Sequence, residues 1–163
     1  MDYQTFFKQL KTICAFNDDN FPEAPEGQCL VFKDSEGKMA QIKRIEEEFH
    51  YEDTDYYFKV SVLGDVSGPD EIVHIRQEGK YFDHVFALQH NRLDSLYTLE
   101  EEEESIHDAT GYEPEDFKAL SPEERIAAMP FTKNLLAKSL DDFLAGISLV
   151  DRENYKANAR IMR

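Results

Sequence analysis

Tryptophan is absent from these 163 residues, and cysteine occurs only twice, at Cys14 and Cys29. Two thiols are too few for a disulfide scaffold. Each lies among apolar neighbours (Ile13 and Phe16; Leu30 and Phe32), which reads as a small buried hydrophobe. No apolar run approaches the roughly 20 residues that a membrane-spanning helix needs. The amino-terminal stretch MDYQTFFKQL lacks the basic and apolar regions of a secretory signal, so a cytoplasmic location is expected. The few glycines are scattered, and neither GxGxxG nor GxxxxGK[ST] occurs, which removes the familiar phosphate cradles. Positive charge is scarce as well: 18 Lys and Arg stand against 34 Asp and Glu, a formal charge of −16. With no basic stripe to release counterions, nucleic acid is disfavoured as a ligand, and an anionic membrane surface would be repelled.

What the chain does have is a core and a large acid excess. Hydrophobic residues make up 41%, and 20 side chains are Phe or Tyr, so the charge does not imply disorder. The length suits one domain, 1–163, burying roughly 68–70% of the surface of its unfolded chain. Residues 151–163 hold four basic and two acidic groups and read as a basic C-terminal helix or arm, leaving −18 on the body. Such a field speeds encounter with cationic partners. Solubility alone is the plainer explanation of the same acids.

Apolar residues at Phe6, Phe7, Leu10, Ile13 and Cys14 predict an amphipathic helix over 2–16. NDDNFPEAPEG then reads as a loop. The run CLVFK, the turn DSEG with Gly37, and residues 39–45 predict a hairpin. Tyr56, Phe58, Val60 and Val62 alternate with Tyr57, Lys59 and Ser61, which predicts a strand with Tyr57 on its exposed face. Further strands are expected at 71–76, 80–88 and 96–99. Ser121-Pro122-Glu123-Glu124 and Ser139-Leu140-Asp141-Asp142 are helix starts. The short links leave no room for parallel crossovers, and no internal repeat is present. The expected class is therefore α+β: an antiparallel sheet of about five or six strands flanked by an N-terminal helix and C-terminal helices.

Catalytic chemistry finds little footing. Among the five histidines, His84 shares a strand face with Phe82, Phe86 and Leu88, and His74 lies on a neighbouring strand. No HExxH or paired CxxC backs them as metal ligands, and an incidental or structural role is the better reading. The acids stand in solvated rows, whereas general acid–base work needs a carboxylate perturbed by burial. Asp53-Thr54-Asp55 has neither the length nor the glycine of a calcium loop. No cofactor and no metal is expected.

What remains is surface. Glu46, Glu47, Glu48, Asp53 and Asp55, beside Tyr57, form a carboxylate-and-aromatic patch. Glu101, Glu102, Glu103 and Glu104 would add steering charge, and Tyr57 a rigid anchor. The ordinary alternative is a solvated surface with no partner.

KYFDHVFAL followed by LDSLYTLEE resembles the late strand pair of the SUKH superfamily, bacterial immunity proteins that neutralise toxins. LLAKSLDDFLAGI, with Ser139, Asp142, Phe143 and Leu144, resembles that superfamily's closing helix. The resemblance covers about half of the chain. It lacks the family's N-terminal helix pair and its frequent tryptophan. It implies an α+β fold and a stoichiometric inhibitor that covers the active site of a basic toxin. The alternatives are a DNA mimic occupying the groove of a DNA-binding protein, and an enzyme of unfamiliar type. In the first two cases the partner is a basic protein.

Overall fold

The computed structural model describes residues 1–19, 21–45, 53–54, 57–66, 70–88 and 105–158. Helix α1 (Tyr3–Leu10) starts because the Asp2 carboxylate accepts a hydrogen bond from the Thr5 N–H at 2.8 Å. It buries Phe6, Phe7 and Leu10 and then stops, shorter than the 2–16 expected. Ala15–Phe16 (β1) pairs instead with Pro22–Glu23 (β2), inside what the composition marks as a plain loop. The reversal is made by Asn17, whose Oδ1 accepts from the backbone N–H groups of Asp19 and Phe21.

The main sheet is antiparallel throughout, and its strand order is β10-β3-β4-β6-β7-β8-β9. These strands are β3 (Gln28–Lys33), β4 (Met39–Ile45), β6 (Val60–Val66), β7 (Asp70–Ile75), β8 (Val85–Leu88), β9 (Leu135–Ala137) and β10 (Ile147–Asp151). The short β5 (Asp53–Thr54) pairs with Ser61 and Val60 of β6. The α+β class holds, but the sheet takes two strands from the C-terminal part, where only helices were expected. Those two strands sit at opposite edges and are joined by residues 138–146 alone. Seven flat strands would span about 29 Å. The linker contains α5 (Leu140–Ala145), and a helix of that length plus three extended residues reaches only about 20 Å. The sheet is therefore curled into a half-barrel.

One core fills the curl. Phe6 of α1 stacks on Phe143 of α5 at 6.1 Å, and Phe143 packs on Phe32 of β3 at 4.9 Å. A second core covers the other face of β6–β8. Its lid is α2 (Ser105–Thr110), α3 (Pro114–Ala119), α4 (Pro122–Ala128) and a 3-10 turn at Pro130–Lys133. From that lid Ile106, Phe117, Ile126, Met129 and Phe131 meet Val60, Val62, Val73, Ile75, Phe86 and Leu88. A third, small cluster puts Tyr155 of α6 (Arg152–Asn158) against Cys29, Val31 and Met39. The start of the basic C-terminal segment is thus a docked helix.

Because β6–β8 are buried on both faces, one-sided alternation does not apply to them. The strand expected from Tyr56 to Val62 lies instead at 60–66 and carries an irregularity between Val62 and Gly64. Gly64 is required there, since a Cβ would lie 2.0 Å from the Arg44 carbonyl oxygen. Strand β8 is likewise shorter than 80–88. Residues 80–83 form a turn in which Asp83 has φ +69°. The strand expected at 96–99 lies outside the described residues.

Candidate functional site

Of the residues expected to contact a partner, Glu46, Glu47, Glu48, Asp55 and Glu101 to Glu104 lie outside the described residues. Asp53 is in β5, its backbone paired with Ser61. Tyr57 is a correction. It was expected to be exposed, yet it is only 6% accessible. Its ring lies edge-on to Phe117 at 5.1 Å. The alternation argument assumed solvent beyond one face of the strand, and the α2–α4 lid occupies that space. Tyr57 is a core residue, not an exposed one.

The position of Tyr57 nevertheless bears on the charge. Residues 46–55 contain six acids and no Lys or Arg, and residues 100–124 contain eleven acids and one Lys. The other 128 residues hold seventeen of each sign, so these two segments carry the whole excess. They are far apart in sequence. Tyr57, directly after the first segment, packs on Phe117 inside the second. Arg125 completes the junction: Nη1 donates to the Tyr57 carbonyl at 2.8 Å, Nη2 to the Lys118 carbonyl at 2.6 Å and Nε to the Phe117 carbonyl at 3.3 Å. This guanidinium serves backbone carbonyls and makes no ion pair among the described residues.

Local sequence sets how those acids are displayed. Pro114 opens α3, Phe117 turns inward, and Glu113, Glu115 and Asp116 stay exposed. Ser121 caps α4 reciprocally: its hydroxyl accepts from the Glu124 N–H at 3.2 Å, and its own N–H donates to Glu124 Oε1 at 3.1 Å. Those hydrogen bonds from Ser121 hold the Glu124 carboxyl below its usual range. The Glu123 carboxylate accepts from the Lys80 N–H at 3.0 Å, fastening α4 to the turn before β8. Exposed His107 sits 3.7 Å from Asp108 and 3.6 Å from Glu113. Neither Phe117 nor Arg125 was singled out in the sequence. The signal available was Glu113-Pro114-Glu115-Asp116, a helix start that fixes the inward face of α3.

The nearest approach to catalytic geometry is on the other face of β7. His74 is buried; its Nδ1 meets the Tyr3 hydroxyl at 2.5 Å and its Nε2 meets Asp83 Oδ1 at 2.7 Å. A carboxylate can only accept, so Nε2 carries the proton and Nδ1 accepts from Tyr3. Burial pushes the His74 pKa down, against the raising effect of the hydrogen bond and charge of Asp83. Ser61 stands opposite His74 in the β6–β7 register, which assembles serine, histidine and aspartate side by side. The set is not a working triad. Nε2 is bonded to Asp83, Nδ1 faces the Tyr3 hydroxyl rather than Ser61, and Ser61 Oγ is fully buried with no hydrogen-bond partner among the described residues. The chain of bonds instead ties the start of α1 to β7 and to the turn before β8. His84, which shares a strand face with Phe86 in the sequence pattern, is half-buried at the flank of the core, its ring 5.9 Å from that of Phe86 and its Nδ1 3.2 Å from the Phe82 carbonyl. Among the described residues no three His, Cys, Asp or Glu side chains gather as a metal site, and no helix is long and apolar enough to cross a membrane.

Compared with known proteins, the chain matches no family model, no curated protein and no solved structure.

Proposed function

We propose that this is a non-catalytic binding protein that uses one acidic side to dock on a basic protein, in the manner of an immunity protein covering a toxin's active site. The observation carrying this reading is the segregation of charge. The entire acid excess belongs to two segments, and Tyr57, beside the first, packs on Phe117 within the second, while the rest of the chain is balanced. A solubilising charge has no need of such segregation, whereas electrostatic steering of a cationic partner does. The SUKH resemblance of Ser139, Asp142, Phe143 and Leu144 supplies the toxin-immunity part of the reading.

The test is affinity capture from native lysate at low salt, repeated with the neutralised variant Glu113→Gln, Glu115→Gln, Asp116→Asn. The reading requires a basic protein that the variant retains poorly and whose own activity the wild-type chain inhibits. Capture of a DNA-binding protein released from its DNA would favour the mimic. A partner retained equally by the variant and at high salt would remove the acidic side from the account.

A further inference from the structure

Four of the ten lysines in the charge-balanced part come together. Lys33, Lys38, Lys133 and Lys138 line one cleft of about 600 Å3, between β9 and the turn joining β3 to β4. That size is within the roughly 300–1,000 Å3 of ligand-binding clefts. The cleft exists because the half-barrel does not close: its curl brings β9 opposite the end of β3. Among the described residues β9 pairs only with β8, so its outer edge borders the cleft. Leu135 on that edge is 40% exposed.

The acids of the cleft are largely committed. Asp34 Oδ1 accepts from the backbone N–H groups of Glu36 and Lys38, holding the turn. Glu36 pairs with Lys38 at 3.5 Å. Lys33, Lys133 and Lys138 have no ion pair among the described residues, and only the exposed Asp142 adds an uncommitted acid to the lining.

We propose that this cleft binds an acidic, extended segment of a partner protein, which adds as a strand to the outer edge of β9. An unpaired edge offers main-chain hydrogen bonds to any extended chain, and alternate side chains then decide which chain is accepted. Here they would meet Leu135 and ammonium groups from both walls. Lysines at a strand edge also discourage apolar edge-to-edge pairing, so the same residues turn an indiscriminate edge into one selective for carboxylates. A small anion fits less well, because the cations are spread along two walls that also include Phe32 and Leu136. None of the residues argued from here is one of the acids invoked for docking, so the two binding readings are tested by different variants.

The probe is a fluorescein-labelled peptide of alternating glutamate and valine, followed by fluorescence anisotropy with the full chain. Binding is expected, with an affinity lowered at least about tenfold by Lys133→Glu with Lys138→Glu, because reversed charges repel where they attracted. The matching peptide of alternating lysine and valine should leave the amides of residues 133–138 unshifted. Far-UV circular dichroism checks that the double variant stays folded. Amide shifts on binding should centre on residues 133–138. Absence of binding, equal binding to the double variant, or displacement by inorganic triphosphate at equal charge concentration would each overturn the proposal.

Discussion

Burial of His74 has a consequence that pH can read. Its pKa is lowered in the folded chain, so the unfolded chain takes up the proton first as pH falls. The contribution is whole above the unfolded value of about 6.5 and is lost progressively as pH drops from there through the folded value. The urea midpoint should therefore fall between pH 7.5 and 5.5. His74→Gln should flatten that slope, even if it lowers the midpoint overall. The window avoids the carboxyls of Asp2 and Glu124, whose pKa values are lowered and which titrate in more acid solution. An unchanged slope in the variant would mean that burial does not lower the His74 pKa, and a steeper fall that Asp83 outweighs burial. Tyr57 makes a second test at this scale. Removing a buried aromatic typically costs about 3–5 kcal/mol, so Tyr57→Ala should show a loss of that order in chemical denaturation. An anchor exposed for a partner would lose binding and little stability.

Elements were legible where the signal is local. The β3–β4 hairpin followed from the turn Asp34 to Gly37, and Gly37 adopts φ +87° there. Ser121 and Ser139 were read as helix caps, and both hydroxyls accept a backbone N–H from the third residue on. Beyond local reach, legibility failed for physical reasons. Strand β9 is three residues long, too short for any period to register. Strand β10 follows α5 after Gly146 alone, so its apolar residues merge with the helical stripe. The start of β6 was misjudged because burial on both faces erases alternation, and Gly64 matters only through the approach of β4. Gly64→Ala should cost about 1–3 kcal/mol or more, the range for forcing volume into a packed site, here against main chain that has little room to yield. Thermal unfolding checks it. A midpoint within error of wild type would mean that β4 can step aside.

At the scale of the whole molecule, the excess of acids was plain in the sequence, but the contact of Tyr57, beside one acidic segment, with Phe117 of the other was not, and on that contact rests the proposed gathering of acids on one side. That arrangement is measurable without any partner. Charges of one sign gathered together repel one another in the folded state, and salt with a Debye length of about 10 Å at 0.1 M screens such exposed groups. Raising sodium chloride from 20 to 500 mM should therefore stabilise the protein, seen as a higher urea midpoint. Neutralising Glu113, Glu115 and Asp116 should reproduce part of that gain at low salt and shrink the further response to salt. If the acids were instead dispersed among cations, salt would weaken ion pairs and the sign would reverse. A variant that responds to salt as fully as the wild type would show that α3 does not sit within the acidic side. The steering role assigned to that side would then have to rest on residues 46–55 alone.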